Sequence, residues 1–168
     1  MSISKEEVLS VGKIESYQVS PLLPRTLIIP ALTLKARVMQ VGVNVKNQMQ
    51  APENIFDAAW YKGSARPGEP GAVVIDGYQS GPTKDGVFIN IGKLKVSDIL
   101  EVERGDGQVF KYSVVEIEYK PFGEVDMNKV MKSIDANSPG LNLITCDGEY
   151  QSATRSLENR VVVYARQI

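Results

Sequence analysis

The chain has 168 residues, 19 basic and 20 acidic side chains, a net charge of −1, no histidine and one cysteine. That length fits a single domain able to bury its own core, and the near-neutral charge gives no electrostatic footprint for nucleic acid. One cysteine excludes an internal disulfide, and without histidine no zinc site of four Cys and His ligands can be built.

No run of 18 or more apolar residues is present, so no segment of this sequence reads as a membrane-spanning helix. The start, Met1 to Glu7, lacks the apolar stretch of a signal peptide. The expectation is a cytoplasmic protein or a soluble piece of something longer.

Taken in order, residues 1–24 read as an N-terminal arm or spacer. Val8, Val11 and Ile14 recur at helical spacing, and Pro21 and Pro24 separate this arm from residues 25–168. Thr26 to Ile29 is a short β-rich run stopped by Pro30. Leu34 to Val38 alternates apolar and basic residues, as a half-buried strand does, and Val41 to Val43 with Met49 extends the sheet. Pro52 to Trp60 predicts a short helical turn, with Ile55, Ala58 and Ala59 on one face. Ala72 to Ile75 is a continuous apolar run of the buried-strand kind, ended by Asp76.

Residues 77–86 carry Gly77, Gly81, Pro82 and Gly86 and read as a loop. Val87 to Leu94 predicts a strand or turn leading out of it. Ile99 to Arg104 and Val109 to Val114 flank Gly105-Asp106-Gly107-Gln108, the pattern of a hairpin with a four-residue loop, whose second arm runs on to Tyr119. Met127 to Ile134 predicts one or two helical turns. Leu141 to Thr145 and Val161 to Ala165 are two further β-branched strands. Many short strands with few helices predict an all-β barrel or sandwich.

The chemistry centres on Leu143-Ile144-Thr145-Cys146-Asp147, where the single cysteine ends a strand pattern. A lone thiol at a strand-to-loop junction is a candidate nucleophile; the plainer alternative is a buried structural thiol. Asp76 ends an apolar run, where an unpaired carboxylate is costly, so a local partner or a capping role is expected. Trp60 and Tyr61 read as core and rim. Arg104-Gly105-Asp106 is turn chemistry. Asp85, Asp98 and Glu101 lack the spacing of a calcium loop, and no metal site is expected.

Four segments together resemble the sortase family, the cysteine transpeptidases that attach proteins to the Gram-positive cell surface, and most of all its class E and F branch. They are Leu27-Ile28-Ile29-Pro30; Trp60-Tyr61-Lys62-Gly63 with Arg66 to Gly71; Leu141-Asn142-Leu143-Ile144-Thr145-Cys146; and Asn159-Arg160-Val161-Val162-Val163-Tyr164-Ala165. The resemblance spans roughly residues 25–166. It implies an eight-stranded β-barrel with a few short helices and no cofactor. Cys146 becomes the nucleophile and Arg160, fourteen residues on, the arginine that holds the substrate and its oxyanion. Arg155 competes for that role, but Arg160 directly precedes the apolar strand. Thr145, with Ile144 beside it, falls at the substrate and oxyanion site.

The implied substrate is an LPXTG-like sorting signal, cut between Thr and Gly, with the acyl group passed from Cys146 to an amine of cell wall or pilin, or to water. The implied location is the outer face of the cytoplasmic membrane, held there by a helix absent from this sequence.

The family's histidine position holds Tyr78. A free thiol with a pKa of about 8.5 is mostly protonated at neutral pH, and a phenol, near 10, neither favours a thiolate by charge nor matches the working pH of a general acid. The sequence therefore predicts strongly impaired turnover. Alternatives are an inactive pseudo-sortase that binds sorting signals, or a cytoplasmic barrel of other function with an inert Cys146.

Overall fold

A computed structural model describes residues 4–121, 123–146 and 159–168. Those residues form eight strands: β1 (Pro24–Ile29), β2 (Leu34–Val41), β3 (Ala58–Tyr61), β4 (Ala72–Tyr78), β5 (Ile99–Arg104), β6 (Val109–Pro121), β7 (Gly140–Cys146) and β8 (Asn159–Gln167). They close into a barrel in the order β1-β2-β3-β4-β7-β8-β6-β5, which leaves no open sheet edge. Two pairs, β2 with β3 and β4 with β7, are parallel, and the others are antiparallel. The barrel and the β5–β6 hairpin are as the sequence predicts.

Strand alternation divides the side chains between two layers. Val73 and Ile75 of β4, Leu141 and Leu143 of β7, and Val163 of β8 fill the interior with Leu27, Ile29 and Phe88. Val74, Ile144, Val162 and Tyr164 point the other way and are covered by Val130 of a short helix. That double burial explains why β4 reads as an unbroken apolar run rather than an alternating one.

One expectation is corrected. Pro52 to Trp60 is not a helical turn: Ala58–Tyr61 is β3, laid parallel to β2 in the register Val38–Ala58 to Val41–Tyr61. Ala58 and Ala59 are helix formers by propensity, but pairing on both sides of the strand overrides it. Of the two alternatives for Val87 to Leu94, strand or turn, the structure has the turn, with a 3₁₀ turn at Ile91–Lys93 and with Phe88 and Ile91 in the core.

The helices are short. Helix α1 (Val11–Ser16) is capped by Ser10, whose hydroxyl accepts the Lys13 N–H at 3.2 Å. Helix α2 (Met127–Val130) is capped by Asp126 and stops before the predicted Ile134. It is fastened to β7 by Asn142, whose amide donates to the carbonyls of Val130 (2.7 Å) and Lys132 (2.8 Å). Among the described residues no helix is long and apolar enough to cross a membrane.

The N-terminal arm is docked onto the barrel. The Arg25 guanidinium donates to the carbonyls of Ile14 (3.1 Å), Glu15 (2.7 Å) and Tyr17 (2.6 Å) and pairs with Glu103. The Tyr17 hydroxyl donates to the Val38 carbonyl at 2.8 Å.

Candidate active site

Register places the chemistry. β4 and β7 run parallel with Asp76 opposite Ile144, Gly77 opposite Thr145 and Tyr78 opposite Cys146. Ile144 belongs to the outer layer, so Cys146, two residues on, faces the same way, as do Asp76 and Tyr78. On the far side of β7, Ile144 pairs with Val162 of β8. Arg160 is two residues before Val162 and shares its face. Cys146, Tyr78, Arg160 and Asp76 therefore meet on one outer patch at the ends of three adjacent strands.

Cys146 forms no disulfide and is half-buried. Tyr78 is 5% exposed, and its hydroxyl oxygen accepts a hydrogen bond from Ser4 at 3.0 Å. The loop after β4 folds back on it: Phe88 N–H donates to the Tyr78 carbonyl at 2.9 Å. At Gly77, a Cβ would sit 2.7 Å from Val87 and 2.8 Å from Phe88. Only glycine lets that loop lie so close, and the contact fixes which face Tyr78 takes.

Thr145 faces the interior and is fully buried. Its hydroxyl accepts the Val161 N–H at 3.0 Å, stitching β7 to β8 one residue from both Cys146 and Arg160. Ile144 is likewise buried, packed with Val74, Val162 and Tyr164. Arg155 lies outside the described residues.

Asp76 is 1% exposed. Burial pushes its carboxyl well above the ordinary range, with the charge of Arg160 pulling the other way. The local partner expected for it is missing at one oxygen: Oδ1 is buried without a hydrogen bond among the described residues. Its neighbour across β3 is Ala59, which offers only a methyl. The nearby Arg37 is committed to Asp57 by two bonds of 2.9 and 2.8 Å.

Sequence reasoning missed the arm's approach to this patch. Lys5 bridges to Asn54, the Asn54 amide donates to the Glu7 carbonyl at 2.9 Å, and Glu6 accepts from Thr83 N–H (2.9 Å), Thr83 hydroxyl (2.8 Å) and Lys84 N–H (2.7 Å). No periodicity marks Ser4 to Glu7, so nothing in the sequence signalled it. Among the described residues no group of three or more His, Cys, Asp or Glu side chains is placed to hold a metal ion.

The Sortase domain family model matches residues 27–168, and the chain belongs to the sortase family of cysteine transpeptidases, cell-surface enzymes of Gram-positive bacteria. Solved structures with the same fold include a sortase D5 transpeptidase of Clostridium perfringens (21% identity, 86% of this chain and 78% of that one, TM-score 0.60). Sortase A of Corynebacterium diphtheriae is similar at 19% identity, 98% and 72% coverage and a TM-score of 0.63. Sortase C of Streptococcus pneumoniae is similar at 20% identity, 100% and 79% coverage and a TM-score of 0.62. No functionally curated protein matches the sequence.

Proposed function

We propose that this chain is a sortase of slow turnover that takes an LPXTG-like sorting signal at the outer face of the cytoplasmic membrane, with motifs of the class E and F branch. Cys146 attacks the carbonyl carbon of the Thr–Gly bond and forms a thioacyl intermediate. Arg160 holds the oxyanion with the fork of N–H donors on its planar guanidinium. An amine of cell wall or pilin, or water, then takes the acyl group. Thr145 acts from beneath, holding the ends of β7 and β8 together, and Ile144 packs beside Cys146 on the same face. The observation that carries this reading is the rung Tyr78–Cys146 with Arg160 on the flanking strand.

A second reading has one observation in its favour: the Tyr78 hydroxyl is engaged by Ser4. On that reading the chain binds sorting signals without processing them. Intact-mass detection of a peptide adduct separates the two. With an LPXTG-type peptide, a slow adduct forms on the natural chain, is absent from Cys146→Ala and is reduced in Arg160→Ala. Saturable peptide binding with no adduct at any time supports the binding module instead.

A further inference from the structure

We infer that Asp76 is the proton carrier of this site: its carboxylate takes the proton of the Cys146 thiol, and the resulting acid returns it to the leaving amine. This rests on the sortase reading and concerns the role that Tyr78 fills poorly.

Placement comes first. Asp76 is two residues before Tyr78 on the same face of β4, and Tyr78 is the direct partner of Cys146. Asp76 and Cys146 are thus diagonal neighbours across a parallel ladder. With strands about 4.8 Å apart and a rise of about 3.3 Å per residue, their Cα atoms lie roughly 8 Å apart. Side chains on one face close part of that distance, and one water or the scissile nitrogen spans the remainder, which suffices for proton transfer.

The second observation is the state of the carboxyl. It is enclosed, and Oδ1 has no hydrogen bond among the described residues. A polar atom buried in this way destabilises the fold, and one without a hydrogen bond calls for a chemical reason. The Tyr78 hydroxyl is held by Ser4.

Among the described residues, the titratable and charged groups that face Asp76 from the paired strands are Tyr78 of its own strand, Cys146 of β7 and Arg160 of β8; Ile144 of β7 and Ala59 of β3 stand directly beside it. Arg160 is the cation whose charge reaches it. Asp76 and Cys146 are therefore two acids served by one guanidinium, and the pair favours a single negative charge. With the charge on sulfur, the proton sits on the carboxyl. The steps balance: S–H breaks as O–H forms, then S–C forms as C–N breaks, and the departing nitrogen takes the proton from the carboxyl oxygen. In the second half, the incoming amine gives its proton to the Asp76 carboxylate as the thiolate leaves.

The test compares the natural chain with Asp76→Asn and Asp76→Ala. Alkylation of Cys146 by iodoacetamide, followed from pH 5 to 10, needs no peptide. The expected profile rises in two steps in the natural chain, as a coupled pair does, and in one step in both variants. Both variants should melt higher at neutral pH, by about 2–4 °C, because the buried ionisable group is gone, while cleavage of an LPXTG-type peptide falls by about 10²–10⁴. A merely structural Asp76 would not combine a higher melting temperature with lost turnover. Superimposable alkylation profiles, or undiminished cleavage in Asp76→Asn, overturn the inference. A two-step profile in a chain that no LPXTG-type peptide acylates sinks the substrate reading and leaves the proton pair standing.

Discussion

Tyr78 and Cys146 are partners on one rung of the parallel ladder between β4 and β7. A parallel rung holds two side chains side by side on the same face, so a residue at position 78 has no route away from the thiol. The identity of that residue is therefore tested by substitution in place. Tyr78→His should raise cleavage of a fluorogenic LPXTG-type peptide with triglycine as acceptor by about 10²-fold, the low end of the range for a positioned general acid, because Asp76 already carries the proton in the natural chain. Unchanged rates would show that the imidazole is not what the site lacks.

Thr145 holds β8 against β7 through the Val161 N–H. Thr145→Val keeps the volume and strands that buried donor, which costs about 1–3 kcal/mol. Urea unfolding should show a lower midpoint, and adduct formation on Cys146 should slow beyond what stability explains, because Arg160 is the adjacent residue. Thr145→Ser should recover both.

The clamp made by Glu6 titrates. Some desolvation pushes its carboxyl up, but the donors of Thr83 and Lys84 outweigh it and hold the group below its ordinary value. For a lowered carboxyl, the contribution is present above the unfolded pKa of 4.5 and is lost as pH falls through the folded value. Hydrogen exchange at Thr83 and Lys84 should therefore accelerate only below about pH 4.5, while the barrel strands stay protected. Glu6→Gln should show the faster exchange at neutral pH as well.

Asp76 has the opposite sign. Its folded value is raised, so both states are protonated below 3.8 and the native state is progressively penalised as pH rises toward the folded value. The slope is about 1.4 kcal/mol per pH unit across that window. The stability gained by Asp76→Asn should accordingly grow with pH and be small at pH 3. A constant gain across pH would mean that the carboxyl is not displaced from its solution value.

Asn142 pins β7 to α2 and the turn after it, with two donated bonds of 2.7 and 2.8 Å. Asn142→Leu removes both while leaving the Val130 and Lys132 carbonyls unsatisfied, at about 1–3 kcal/mol. A melting temperature within one degree of the natural chain would show that α2 is held by packing alone.

The barrel was legible in the sequence because its strands are locally marked. Val73-Val74-Ile75 and Val161-Val162-Val163 are β-branched runs, and Gly105 to Gln108 is a turn between alternating arms. β3 was not legible, since Ala58-Ala59 carries helix propensity and becomes a strand only when β2 lies beside it. Cys146, Arg160 and Tyr78 were found through motif order, and pairing brings them together. The enclosure of Asp76 depends on pairing with Ala59 and Ile144 on two other strands, and the approach of Ser4 to Tyr78 spans 74 residues; a single chain carries no local signal for either.

β8 bridges β6 and β7 and so closes the ring. Its second residue is Arg160, so closure of the barrel and assembly of the Cys146–Arg160 patch are one event. During synthesis the thiol of Cys146 leaves the ribosome before Arg160 does. With Cys146 as nucleophile and Arg160 as its oxyanion partner, as proposed, an unfinished chain is silent until its last strand is in place. Because β4 and β7 must first find each other across some 60 intervening residues, that silence lasts through the slow, long-range part of folding. Onset of peptide acylation during refolding would time ring closure directly.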